Sequence, residues 1–398
     1  MKKFTSNLCS VCLLLFLVDG GLSLLDETLG LANVHEFAGM RALASLVFIL
    51  VALATYVMVG VTPMVPKRWF LPVIFFTPVG LLGLLLVAIY HYDLIRPASW
   101  FLALAEVILG LVILRSVQGK FAFRWPLVPE ARLGNKAFGW ANLAGFIFAN
   151  VFVLVPAALA SLVLYSALAV DHLTDGFLAL QTDGLVARAK TFARDDGKTI
   201  LLMPMMHMGE PDFYAQITKS FPPHSVILLE GVTDHQDLQG PKLDYSRAAM
   251  TLGLCGQKQN FPPVPEEGQP TDGNLWRYAD VDVGDFSKST IVFLNLVARL
   301  YVNGPDADTL QQVFQVSPDE RLEEQLLADL LLKRNAHVEG EIKAELRNSN
   351  SIVVPWGAAH MPGISAEIKQ EGFHLTATQE FKIFNFRTVL GALSAKSE

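Results

Sequence analysis

Four long apolar runs in the first 170 residues, at about 41–62, 69–90, 98–114 and 139–170, constrain this chain more than any other feature. The hydrocarbon core of a bilayer is about 30 Å thick, so a helix needs about 20 apolar residues to cross it. The last run is too long for one straight crossing and is read as beginning in an interfacial stretch near Gly139–Gly145 or extending past the bilayer. A fifth segment, 8–25, comes after Lys2 and Lys3 and is interrupted by Asp19. Its apolar run Leu8–Val18 has the length of a signal-peptide core, but no small-x-small cleavage site comes after it. It is read as an uncleaved first helix, with a signal sequence as the alternative. The composition agrees: 52% hydrophobic and 17% charged residues, against about 45–50% and about 25% in soluble proteins. Those figures, with only 3 cysteines, exclude a disordered chain, a collagen-like chain and a disulfide-stapled mini-domain.

Charge divides the chain further. Of its 31 Lys and Arg, 11 lie in residues 1–170, and of its 38 Asp and Glu only 7 do, so the net charge is +4 there and −11 in the remainder. The reading is a multi-pass membrane region of about five helices over 1–170 and a separate globular domain over 171–398. Lys and Arg mark cytoplasmic loops. Lys2 and Lys3, then Lys67 and Arg68, then Arg115, Lys120, Arg124, Arg132 and Lys136 fall on alternate connections. The N-terminus is therefore expected in the cytoplasm, with residue 171 onward outside it, periplasmic or extracellular. Glu106 sits in the middle of the fourth apolar stretch, where an ionisable group is costly and by default functional. Its bland reading is a packing residue partnered by Asn142 or Asn150. Cys9 and Cys12 lie in the first apolar segment without further ligands, and Cys255 is alone in the second half.

From Asp171 onward, short apolar runs alternate with longer helical patterns, which predicts an α/β domain with a mixed or parallel sheet. Strands are expected at Thr199–Met203, Ser225–Leu229 and Ser351–Val354, and helices at about 177–194, 287–302, 318–334 and 337–348. Ser317-Pro318-Asp319-Glu320 has capping-box spacing with proline at the first helical position. Residues 260–275, rich in Pro and Gly, are expected as an exposed loop.

The residues just past each strand are informative. The first strand leads to His207, the second to Glu230-Gly231, and the third to Gly357-Ala-Ala-His360-Met-Pro-Gly363. Ligands of open α/β sheets bind beyond the carboxyl ends of the strands. If the three strands are parallel neighbours, two histidines and a carboxylate converge there, a set that suits a divalent metal with open coordination positions. Gly231, Gly357 and Gly363 permit tight turns and close backbone approach. Asp280 and Asp282 are further candidate oxygen donors, and Tyr214 a further hydrogen-bond donor. His224, His235, His337 and His374 lack a supporting pattern and are read as structural.

Met203-Pro-Met-Met-His207, Leu-Leu-Glu230-Gly, Lys-Arg334-Asn335 and Pro-Trp-Gly357-Ala-Ala-His360-Met-Pro-Gly363 together resemble the TraB/PrgY/GumN–Tiki family, over about residues 175–375 and in the family's order. That family carries two Gly-x-x-His motifs, a glutamate after an apolar strand, and an Arg-Asn or Arg-Asp pair before the second motif. In the first motif of this chain, Pro204 stands at the glycine position. The resemblance implies a fold similar to the erythromycin esterase and haem-binding ChaN-like proteins. It implies metal-dependent peptidase activity, as in Tiki members, or the lowering of peptide-pheromone activity by membrane proteins, as in PrgY/TraB members. His207, Glu230 and His360 would then hold a divalent ion (Mn, Co, Zn or Fe), with Glu230 as ligand or base. Arg334 and Asn335 would bind the oxyanion or orient a ligand.

The function expected is a membrane-tethered metal-dependent hydrolase acting on extracytoplasmic peptides or proteins. Its partners would be the bilayer and a peptide or protein substrate, with no nucleic acid. The alternative, favoured by Pro204, is a non-catalytic membrane protein that binds or sequesters a peptide or haem.

Overall fold

A computed structural model describes residues 1–30, 37–120, 122–240, 245–261, 270–271, 273–304 and 320–395. Most of the loop expected at 260–275, and the capping-box residues Ser317–Asp319, lie outside that set. The chain divides into two compact units, Met1–Ser166 and Ala167–Glu398, each taken by itself.

In the first unit, α1 (Lys2–Gly30), α2 (Ala38–Val61), α3 (Lys67–Tyr90) and α4 (Ile95–Gln118) are single helices. The stretch Trp140–Leu173 is also helical throughout, as α5 (Trp140–Ala149), a π-turn at Asn150–Leu154 and α6 (Val155–Leu173). Among the described residues, five helices are thus long and apolar enough to cross a membrane. Large apolar side chains such as Leu43, Leu46, Leu50 and Leu53 on α2 face outward, as lipid contact requires. Asp19 does not break α1: it is buried and accepts a hydrogen bond from Ser45 Oγ at 2.6 Å. Cys9, Cys12, Leu13 and Phe16 are fully buried in the helix bundle. Ser6 Oγ donates to Val128 O at 2.6 Å and Ser10 Oγ accepts from Val128 N at 2.9 Å, tying α1 to the loop after α4.

Among its described residues the second unit forms a mixed eight-stranded sheet with helices on both faces. Its strands are β1 (Leu178–Gln181), β2 (Gly184–Ala193), β3 (Thr199–Met205), β5 (Val226–Leu229), β7 (Pro270–Thr271), β8 (Asn274–Tyr278), β9 (Ser351–Gly357) and β10 (His374–Asn385). The order is β1-β2-β3-β9-β5-β8-β7, with β10 against β2. A separate two-stranded ladder pairs β4 (Met208–Gly209) with β6 (Cys255–Gly256), antiparallel. The helix expected at 177–194 is instead the β1–β2 hairpin. Thr182-Asp183 forms the two-residue turn between the paired Gln181 and Gly184, and Leu-Val-Ala-Arg-Ala-Lys continues into pairings with β10 and β3.

The three expected strands are parallel neighbours, β3–β9–β5, with β8 parallel beyond them. Period-two alternation sends Leu201, Met203, Ile227, Leu229 and Val353 to one face, and Ile200, Leu202, Val226, Leu228, Ile352, Val354 and Trp356 to the other. Both faces are buried, which is why these strands read as continuous apolar runs. Phe213, Tyr214 and Ile217 of α7 (Pro211–Lys219) cover the first face. Next along the chain come α8 (Ser246–Thr251), α9 (Gln257–Asn260), α10 (Lys288–Asn303) and α11 (Glu320–Leu327). The second face is covered by α12 (Lys333–Glu345) and α13 (Met361–Gln370), through Val338, Ile342, Ile364 and Ile368. The helices expected at 318–334 and 337–348 are one described helical run, 320–345, carrying a π-turn at Ala328–Leu332.

Candidate functional site

Parallel pairing puts the carboxyl ends of β3, β9, β5 and β8 at one sheet edge, and α12 brings Arg334 and Asn335 to the same place. Asp329, in the π-turn just before α12, accepts from Ser287 N at 2.8 Å and Thr290 Oγ1 at 2.7 Å, which anchors the start of α12 to α10. Such π-turns recur at functional sites because they re-aim the next residues along the helix.

Arg334 is the hub. Its Nε donates to Asp280 Oδ1 at 3.0 Å, and its Nη2 donates to Asp280 Oδ2 at 2.6 Å and to Glu230 Oε1 at 2.7 Å. Its Nη1 lies 3.1 Å from His360 Nε2. Four of the five guanidinium N–H groups are thereby used, and the fifth, on Nη1, has no acceptor among the described residues. The guanidinium also stands 5.5 Å from the Trp356 ring centre, and Trp356 is fixed by its Nε1–H donating to Leu228 O at 3.0 Å.

His360 Nδ1 lies 2.7 Å from Asn335 Oδ1. An amide oxygen only accepts, so Nδ1 carries the ring proton and Nε2 the lone pair. His360 is 5% exposed. Burial first, and the Arg334 guanidinium second, push its pKa below the ordinary 6.5, against the opposing pull of Glu230 and Asp280. The ring is therefore neutral at physiological pH, with its basic nitrogen 3.7 Å from Glu230 Oε1.

The glycines set these distances. Gly357 N donates to Glu230 Oε2 at 2.5 Å, and a Cβ on Gly357 would come 3.2 Å from that oxygen. A Cβ on Gly363 would come 2.3 Å from Asn335 Nδ2, so only glycine admits Asn335 there. Gly231 N donates to Asp280 Oδ2 at 3.0 Å, and a Cβ on Gly231 would meet the Tyr278 ring at 3.1 Å.

Other expected members stand elsewhere. Past Met205 the chain enters the β4–β6 ladder, and His207 O accepts from Gln257 N at 2.9 Å. The exposed His207 ring stacks on Tyr245, with centroids 4.9 Å apart and planes 6° apart. Asp282 is an N-cap: it accepts from Gly284 N and Thr233 Oγ1, each at 2.9 Å, and its Oδ2 lies 2.7 Å from His235 Nδ1. Backbone donors at Gly284 and His235 hold its carboxyl well below the usual range. Tyr214 is a core residue, fully buried, whose hydroxyl donates to Met206 O at 2.8 Å; burial pushes its pKa up. Asp280, expected only as an optional oxygen donor, is instead the fully buried partner of Arg334. Its signal in the sequence is the position just past β8 at the same edge.

The expected ligands His207, Glu230 and His360 are not drawn together, because the exposed His207 ring is stacked on Tyr245. Among the described residues no three His, Cys, Asp or Glu side chains converge as a ligand set. His360 Nε2 and both Glu230 oxygens already have donors, and the local positive charge is that of Arg334. The cluster can instead offer a neutral imidazole base, a carboxylate beside it and one spare guanidinium N–H for an oxygen bearing negative charge.

Comparison of the chain with protein-family models, curated proteins and solved structures gives no match.

Proposed function

We propose that this chain is a membrane-anchored hydrolase whose Ala167–Glu398 unit works outside the cytoplasm on peptides or protein segments, with Glu230, Arg334 and His360 as its centre. The observation that carries the reading is the neutral, tautomer-fixed His360 facing Arg334 and Glu230 at the carboxyl edge of the parallel strands. The alternation of basic loops supports the outward placement, and the resemblance to TraB/PrgY/GumN–Tiki motifs supports peptides as the substrate class.

His360 Nε2 and Glu230 Oε1 are close enough for one water to reach both. As a substrate carbonyl draws Arg334 Nη1 to its oxygen, the His360 Nε2 lone pair is released and takes a proton from that water as it attacks. The imidazolium then returns the proton to the leaving amine as the C–N bond breaks, a role that contributes about 10²–10⁴ in rate. The spare Nη1–H of Arg334 binds the carbonyl oxygen as charge develops on it. Glu230 and Asp280 hold the guanidinium in place, and Asn335 holds the ring. No step is routed through a divalent ion, because the donors for one are not brought together.

A peptide-library cleavage screen on the full-length protein in detergent, read by mass spectrometry with and without chelator, tests this. Turnover that survives chelation and is lost in His360→Ala and Glu230→Gln is expected. Turnover abolished by chelation and restored by Mn, Co, Zn or Fe would bring back the His207–Glu230–His360 ligand set. Peptide binding without turnover would identify the sequestering protein instead.

A further inference from the structure

Independently of the outer unit, the helix bundle contains two buried acids without a counter-ion of their own. Glu106 lies at the middle of the Tyr92–Gln118 span and Asp19 at the middle of α1. They are 7% and 4% exposed. The helices meet closely there: a Cβ on Gly20 would fall 3.0 Å from Glu106 Cγ and 3.2 Å from its Cδ, and a Cβ on Gly110 would fall 2.5 Å from Leu17 Cδ2. Glycine at position 20 thus lets the Glu106 carboxyl lie against α1 next to Asp19.

The charges around it do not balance. From α1 come Asp19, Asp26 and Glu27, from α4 Glu106, and from α2 the single cation Arg41. Arg41 is committed to Asp26 at 3.1 Å and Glu27 at 2.7 Å. The basic residues of α1, Lys2 and Lys3, of α3, Lys67 and Arg68, and of α4, Arg96 and Arg115, stand at helix ends. Asp19 has the Ser45 hydroxyl as donor. Glu106 Oε1 has no hydrogen-bond partner among the described residues. An unpaired carboxylate buried at this depth costs several kcal/mol. Asp26 Oδ1 also lacks a partner, but that carboxylate is neutralised through Oδ2 by Arg41, and Glu106 has no such ion pair.

We propose that Glu106, packed against Gly20 beside Asp19, is an intramembrane proton-binding site. A hard metal cation would need about six or more oxygens. Glu106, Asp19 and Ser45 supply side-chain oxygens here, and the backbone carbonyls of α1 and α4 are engaged in their helices. A proton needs one oxygen, and Glu106 Oε1 provides it.

The test uses dicyclohexylcarbodiimide, which forms a stable adduct with an apolar, protonated carboxyl, on the full-length protein in lipid nanodiscs. Peptide mass spectrometry should place the adduct on Glu106 at neutral pH, lose it in Glu106→Gln, and show no protection by sodium. Glu106→Gln, which mimics the protonated acid, should melt at the wild-type temperature. An unlabelled Glu106 in folded protein, protection by sodium, or a clearly lower melting temperature for Glu106→Gln would each overturn the site.

Discussion

His207 and His360 stand just beyond Met205 and Gly357, which are paired residues on adjacent parallel strands, yet their surroundings differ completely. His360 is buried, held at Nδ1 by Asn335 and faced at Nε2 by Arg334. His207 is exposed and stacks on Tyr245. Equivalent register does not give equivalent chemistry, because the next turn decides where the side chain goes. After Gly357 the chain makes a tight turn into α13, whereas after Met205 it is drawn into the ladder with Cys255–Gly256.

The sharpest way to break this contrast is Arg334→Met. It leaves the fully buried Asp280 carboxylate without its cation, which should cost about 3–5 kcal/mol and appear as a large drop in the melting temperature of the full-length protein. A change below about 1 kcal/mol would mean the network around His360 is not the ordered structure described above.

Local pattern decides which parts of this molecule are legible in its sequence. The membrane helices and strands β3, β5 and β9 announce themselves as apolar runs, and Glu230 and His360 lie at the sheet edge where strand-end reasoning puts them, while Arg334 and Asn335 are singled out only by the family resemblance. The hairpin at 178–193 does not, because Ala, Arg, Lys and Leu favour helix and only pairing with β10 and β3 overrides that preference. The direction of His207 is set by Met208 pairing with Gly256, a contact distant in sequence that no local pattern announces. The bond between Arg334 and Asp280 joins residues 54 positions apart and is hidden for the same reason. Asp282 shows the converse: its spacing fits a ligand, while its oxygens serve a helix cap.

A smaller effect is expected from Gly363→Ala. The new methyl displaces Asn335, at about 1–3 kcal/mol for an overpacked site, and frees the His360 ring from its tautomer. Turnover should fall more than stability does, measured as kcal/mol on the same preparation. Equal losses would reduce Asn335 to packing alone.

Acid sharpens the contrast further. His360 titrates below 6.5 in the folded protein, so below 6.5 the unfolded chain binds more protons than the folded one. Its contribution to stability is complete above pH 6.5 and is lost as pH falls from there through the depressed folded value. Denaturation midpoints measured across that window should fall in the wild type and fall less in His360→Gln. Parallel profiles would place the acid sensitivity elsewhere.

The smallest effect belongs to His207→Ala, which should change stability by no more than about 0.5 kcal/mol, as for an exposed residue outside a network. A larger loss would show that the stack on Tyr245 is structural.

The most direct measurement is peptide turnover by His207→Ala and His360→Ala, assayed side by side in the full-length protein. The account predicts near wild-type turnover for His207→Ala and a loss of about 10²–10⁴ for His360→Ala, the range for a general base. Equal, severe losses in both variants would contradict it, because they would mean that the two histidines act on one centre.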